Sequence, residues 1–191
     1  MINAAFIRHA MTEGNLLKRY IGITDEPLCS EGRFSLNGKK YPKAQIVFVS
    51  PMLRCRETAG IIYPDVEHII LEELRECDFG LFENKNYREL SGSPEYQEWI
   101  DSGGKKDFPE GEALDTFRKR SAEAFALIVR ESLQNHCPDV AVVTHGGVIM
   151  NIMEQFAVPE KDFYSWYVEN AEGYLVETDE NRRITVKCSI H

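Results

Sequence analysis

Residues 139–149 read DVAVVTHGGVI. The first six form a short, nearly continuous apolar run, the length and composition of a buried strand. They run straight into His145-Gly146-Gly147, and the apolar pattern after the glycines continues as a helix to about Phe156. Strand, glycine corner, helix is one half of a parallel βα unit. The same grammar recurs elsewhere. Residues 3–7 (NAAFI) are a buried strand that delivers Arg8-His9 at its C-terminal end. Residues 45–49 (QIVFV) are another, followed by Ser50-Pro51, which fits an N-cap with proline at the first helical position and a helix to about Ile62.

Working outward, residues 67–72 (EHIILE) read as a strand, and 10–45 as irregular apart from a short helix opening at Ser30-Glu31-Gly32. Residues 112–135 predict a long amphipathic helix with Leu114, Phe117, Ser121, Ala124, Phe125 and Ile128 on one side. Residues 81–111 are polar and rich in Gly, Ser, Pro and aromatics, and suggest a lid or small cap with a short helix near 94–101. The tail reads as two alternating strands, 173–177 and 184–188, joined by a turn at 179–182. The expectation is one α/β domain over 1–191. It has three layers, a mostly parallel central sheet flanked by helices, with a small lid or cap insertion at 81–111. In such sheets ligands sit at the carboxyl ends of the strands.

Three strands end in chemistry: Arg8-His9, Ser50-Pro51 with Arg54 one turn later, and His145-Gly146-Gly147. One histidine after a strand is ordinarily structural, and His68 and His136 are read that way. Two histidines and two arginines at strand ends, with free N–H groups at Gly146 and Gly147, point to a site for a multiply charged oxyanion, most simply phosphate or a phosphate ester. The bulk charge sharpens this. The chain carries 22 Lys plus Arg against 31 Asp plus Glu, a net charge of −9. That excludes nucleic acid and an anionic membrane as main partners, so an anionic substrate must be met by a few convergent arginines. No window approaches the length of a membrane span, and the start, MINAAFIRHAM, lacks the basic region of a secretory leader. Five cysteines, odd in number and without a C-x-x-C, predict reduced thiols in a cytoplasmic protein. The sequence carries no signal for oligomeric state.

FIRHAMTEGN at 6–15 resembles the signature of the histidine phosphatase superfamily, the phosphoglycerate mutase-like group. So do the segment with Gly22, Asp25, Pro27, Leu28, Ser30 and Gly32, VSPMLRCRETA at 49–59, LRECDFGLFE at 74–83, FPEGEALDTFRKR at 108–120 and VVTHGGVI at 142–149. The compact form is similar to the α-ribazole phosphatases and broad-specificity phosphatases of that group. The resemblance implies hydrolysis of a small-molecule phosphate monoester, such as α-ribazole-5′-phosphate, without metal or other cofactor. His9 would be the nucleophile and Arg8, Arg54 and His145 would hold the phosphoryl oxygens. Glu76 would be the acid and base, with Asp78 as its rival. Thr12, Asn15, Gly22 and Gly146 would line the substrate, and Glu83 would be structural or at the pocket edge. The chain departs from the pattern at Ala10 (usually Gly), Phe34-Ser35, Phe82, Asn84, Glu110 and Ala113, none of them a charged catalytic position. Two other functions remain open: a bisphosphoglycerate-dependent mutase, which the short chain argues against, and a non-catalytic phosphate-binding module. Tyr87, Tyr96 and Trp99 are read as either pocket walls or cap packing, and Lys85 and Arg88 as solvated charge or leaving-group contacts.

Overall fold

The computed structural model describes residues 1–191. Six strands form one sheet: β1 Ile2–Arg8, β2 Ile46–Val49, β3 Glu67–Ile70, β4 Asp139–Thr144, β5 Gly173–Thr178 and β6 Ile184–Ile190. Their order is β3-β2-β4-β1-β5-β6. The pairs β2·β3, β2·β4 and β1·β4 are parallel, and β5 and β6 add on as an antiparallel ribbon. The helices are α1 Glu13–Leu16, α2 Ser30–Ser35, α3 Leu53–Ile62, α4 Pro94–Asp101, α5 Leu114–Gln134 and α6 Gly146–Phe156. This is the expected α/β architecture with a mostly parallel sheet.

Alternation along the strands separates two cores. Ala4, Phe6, Phe48 and Val142 face a large core shared with α5 and α6, where Phe117, Phe125, Ile128, Val148, Ile149 and Ile152 are buried. Ala5, Ile7, Val49, Ala141 and Val143 face the other way, against Cys55 and Ala59 of α3. The first core holds 27 buried residues and the second 10, so the α5/α6 side carries most of the hydrophobic stabilisation. Phe125 is fully buried between Phe6 (ring centroids 5.9 Å apart) and Phe156 (5.1 Å). Phe125→Ala is expected to cost about 3–5 kcal/mol, seen as a lower urea midpoint at unchanged slope. A loss below about 1 kcal/mol would mean that the site collapses around the cavity.

Three local readings change. The helix after β2 begins at Leu53 rather than at Pro51, and its cap residue is Met52, which offers no side-chain hydrogen bond, rather than Ser50; the Ser50 hydroxyl is turned to His145 instead. Strand β3 stops at Ile70 because Glu72–Leu74 wind into a 3₁₀ turn. The stretch after β1 contains α1, closed by a capping box: Asn15 N–H donates to Thr12 Oγ1, and Thr12 N–H donates to Asn15 Oδ1, both at 3.2 Å. Helix α4 packs Tyr96 and Trp99 against Tyr20, Phe82 and Phe108, so these two rings are cap packing. Tyr87, Lys85 and Arg88 are exposed.

Candidate active site

The parallel register brings three strand ends together. His9 N–H donates to Thr144 O (2.9 Å) and Ser50 N–H to Val143 O (3.0 Å), so His9, His145 and Ser50 emerge side by side at one edge of the sheet. The two imidazoles meet edge to face, with centroids 5.2 Å apart. Both are buried.

His9 Nδ1 lies 2.8 Å from Ala10 O. A carbonyl only accepts, so Nδ1 carries the proton and the lone pair is on Nε2. Burial, and then the charges of Arg54 and Arg8, hold the ring's pKa well below the usual histidine value, although the Ala10 bond opposes them. His9 is therefore a neutral, oriented nucleophile near pH 7. His145 is likewise held neutral by burial, Arg54, His9 and Arg8. The Met52 amide donates to Ser50 Oγ (3.4 Å), and the same hydroxyl oxygen lies 2.8 Å from His145 Nε2. Cys55, fully buried against the same ring at 3.5 Å, has its thiol pushed up to about 12 by burial, and stays protonated.

Arg54 is the largest fully buried side chain of the protein. Its Nη1 donates to Thr24 O (2.8 Å) and its Nη2 to Gly22 O (2.8 Å) and Ile21 O (3.4 Å). Arg8 Nη1 donates to Val168 O (2.9 Å), and its guanidinium lies 5.7 Å from the Tyr167 ring centre. Neither arginine has a carboxylate partner among the ion pairs of the chain. In both, the buried Nε–H has no hydrogen-bond partner. Buried charge without a counterion is costly unless an anion completes the site.

Glu76 sits across from these groups. Its Oε1 accepts from Cys77 N–H and its Oε2 from Gly147 N–H, both at 3.0 Å. Burial raises its pKa above the ordinary carboxyl value, against the lowering effect of those amides and of Arg54 and Arg8. Gly147 is a glycine for a reason of space, since a Cβ there would lie 2.4 Å from Glu76 Oε1. Beyond Glu76 opens a cleft of about 320 Å³, lined by Gly22, Ile23, Met52, Arg75, Glu76, Asp78, Glu112 and Arg120. No residue of 81–111 lines it.

The remaining expected contacts sort themselves. Thr12 is fully buried and its hydroxyl is spent on the α1 cap. Gly22 lines the cleft, but its amide donates to Glu83 Oε1 (2.8 Å) and its carbonyl accepts from Arg54. A Cβ on Gly22 would lie 2.0 Å from Cys77 O, so only glycine fits. Glu83 also accepts from Thr24 N–H (2.9 Å), and thus holds the loop that holds Arg54. Asn15 Oδ1 accepts from Thr12 N–H and from Asn170 Nδ2 (3.1 Å), so only its NH₂ is free to donate to a ligand. Asp78, the rival acid, is tied to Gly80 N–H at 2.9 Å. Gly146 is buried beside the Arg8 guanidinium. His68 Nε2–H donates to Tyr63 O (3.0 Å), outside the cluster, and His136 is exposed. Asn170 belongs to the site without a signal in the sequence, and Ser50, expected as a helix cap, joins it through His145.

A neutral imidazole lone pair, two unpartnered guanidinium edges and a carboxyl group of raised pKa are what nucleophile, anion hold and proton donor require. No group of three or more His, Cys, Asp or Glu side chains could hold a metal ion, and no helix is long and apolar enough to cross a membrane. Comparison with known proteins agrees with this chemistry. The model of the histidine phosphatase superfamily (branch 1) matches residues 4–190. The chain is 27% identical to phosphoserine phosphatase 1 of Hydrogenobacter thermophilus, over 100% of its own length and 93% of the relative's. It is 27% identical to the adenosylcobalamin/alpha-ribazole phosphatase of Salmonella typhimurium, over 85% of this chain and 84% of the relative. It shares the fold of the alpha-ribazole phosphatase from Shigella flexneri, with a TM-score of 0.83 at 20% identity, covering 100% of this chain and 96% of that one.

Proposed function

The chain belongs to the histidine phosphatase superfamily, branch 1, and on that premise we propose that it hydrolyses a small-molecule phosphate monoester through a phosphohistidine on His9. The observation that carries the reading is the pair of arginines, half-buried Arg8 and fully buried Arg54, each with a buried, unpartnered Nε–H and no carboxylate, beside a neutral histidine. Phosphoryl transfer asks mainly for positioning and charge stabilisation, and this pocket offers both.

In the first step His9 Nε2 attacks phosphorus and the ester P–O bond breaks. Glu76, protonated, gives its proton to the leaving oxygen. Arg8, Arg54, His145 and the Asn15 amide hold the three non-bridging oxygens as charge shifts onto them. In the second step Glu76, now ionised, takes a proton from water. That water attacks phosphorus, the P–N bond breaks, and His9 returns to its neutral form as phosphate leaves. The raised pKa of Glu76 suits the first half and its ionised form the second.

The test is turnover on a panel of esters: p-nitrophenyl phosphate, phosphoserine, α-ribazole-5′-phosphate and simple alkyl phosphates, with and without bisphosphoglycerate. The named relatives make phosphoserine and α-ribazole-5′-phosphate the natural first members. Isomerisation of phosphoglycerate only with bisphosphoglycerate, and no release of phosphate, would make the chain a mutase. Binding of phosphate without any turnover would make it a regulatory module. Activity is expected to survive EDTA, because arginines supply the charge that a divalent ion supplies elsewhere. Loss in EDTA with recovery on adding Mg²⁺ would count against the histidine pathway. The five free thiols suit a reducing compartment such as the cytoplasm.

Gly147→Ala isolates the acid. The new methyl lands on the Glu76 carboxylate, the mobile end of a side chain, so the fold should survive while the carboxylate is displaced. Turnover of an alkyl phosphate is expected to fall roughly 10²-fold with an unchanged melting temperature. Wild-type turnover in this variant would mean that Glu76 need not occupy its present position.

A further inference from the structure

We propose that Arg120 is a positioning residue for Glu76: it fixes the backbone from which the acid projects, and it takes no direct part in binding substrate. The inference rests on Glu76 being the proton donor. Arg120 lies in α5, 44 residues from Glu76 in sequence. A guanidinium has five N–H donors, and all five of Arg120's are used. Nε and Nη2 clasp Glu112 at 3.0 and 2.7 Å. Nη1 donates to Glu73 O (2.8 Å) and Arg75 O (2.7 Å), and Nη2 also reaches Glu76 O (3.4 Å).

The carbonyl that Arg120 skips, Leu74 O, accepts from the hydroxyl of Thr144 at 2.8 Å. Four consecutive carbonyls, 73 to 76, are thus pinned by two side chains, one on α5 and one at the end of β4 beside His145. Arg120 can serve as a fixed point because α5 is anchored in the large core through Phe117, Ser121 and Phe125, and its guanidinium lies 5.1 Å from the Phe117 ring centre. The bidentate Glu112 contact fixes the plane of the fork and balances its charge. Arg120 and Glu112 both line the cleft, which would ordinarily suggest a hold for an anionic substrate group. Arg120 has no donor left for one. Its saturated donors and paired charge make it part of the frame.

The experiment measures single-turnover phosphorylation of His9 by an alkyl phosphate and by p-nitrophenyl phosphate, in wild type, Arg120→Ala, Arg120→Lys, Glu112→Gln, Glu76→Gln and the double variant Arg120→Ala/Glu76→Gln. A misplaced acid harms only the poor leaving group. Arg120→Ala is expected to slow alkyl phosphate about 10²-fold and p-nitrophenyl phosphate less than about 3-fold, with KM unchanged for both. Arg120→Lys and Glu112→Gln should lie between Arg120→Ala and wild type, and they carry the same comparison if Arg120→Ala does not fold. The double variant should be no slower on alkyl phosphate than Glu76→Gln alone. The alkaline limb of kcat/KM for the alkyl ester, set by Glu76, should shift in the Arg120 variants. Equal loss on both esters, or full additivity with Glu76→Gln, would overturn the proposal. So would a rise in KM at constant kcat, which would make Arg120 a substrate contact. If Glu76→Gln itself ignores the leaving group, the acid assignment falls first and the positioning role falls with it. If Glu76→Gln discriminates and Arg120→Ala does not, the positioning role alone falls.

Discussion

His9→Ala is expected to abolish turnover, by roughly 10⁶-fold as for loss of a covalent nucleophile, and to leave the fold in place. Nothing else in the pocket can replace it. His145, the other imidazole, has its Nε2 engaged by Ser50. The one thiol within reach, Cys55, is held protonated. The fold should tolerate the change, because the backbone bond from residue 9 to Thr144 O is kept and the removed ring made only a local contact to Ala10 and an edge contact to His145. Two measurements check this. Acid-free trapping of the wild type with mass spectrometry should place the phosphoryl group on His9, and the variant should melt close to wild type. A labelled residue other than His9, or residual turnover above about 1% of wild type (a factor of 10², far short of the expected loss), overturns the assignment.

Glu76→Gln is the second large effect, and it depends on the substrate. For an alkyl phosphate, whose oxygen must be protonated to leave, the loss should be about 10²–10⁴-fold. For p-nitrophenyl phosphate the loss in phosphorylating His9 should be much smaller. The pH profile separates the two groups. Free enzyme is active with His9 neutral and Glu76 protonated. His9's pKa is depressed, so the acid limb of kcat/KM lies below the usual histidine range and activity is lost as pH falls through it. Glu76's pKa is raised, so the alkaline limb lies above the usual carboxyl range and activity declines as pH rises through it. In Glu76→Gln the alkaline limb should vanish and the acid limb remain. An alkaline limb that persists unchanged in that variant belongs to another group.

The parts of this site that the sequence announced share one property. Arg8, His9 and His145 sit at ends of apolar runs, and Arg54 one turn past another, so strand periodicity alone aims them at a common edge. The sheet order that makes β4 the neighbour of both β1 and β2 is long-range, but any parallel α/β arrangement would have clustered those ends. Glu76 had no such signal. It follows a 3₁₀ turn rather than a strand end, and only the family resemblance singled it out. Ser50 looked like a helix cap because Ser-Pro before a helical pattern usually is one. Its true partner is His145, 95 residues away, and local rules do not see that contact. Asn170 and Arg120 are invisible for the same reason: their partners lie 155 and 44 residues off. Thr12 shows the converse. The resemblance makes it a ligand contact, while Asn15 three residues on marks it as the cap of a single helical turn.

His9 is 4% exposed, and Arg54 and His145 are fully enclosed, while the cleft opens beside Glu76. In-line attack by a nucleophile held in so enclosed a place fixes the stereochemistry of the reaction. The departing alcohol and the arriving acceptor must use the same face of phosphorus, opposite His9. Each in-line displacement inverts the phosphorus centre, and two in succession restore it. A substrate made chiral at phosphorus would therefore pass its group on with retained configuration. The acceptor, moreover, is whatever fills the vacated place. Water does so by abundance, and a small alcohol at high concentration should compete for it and leave as a new phosphate ester of the same handedness.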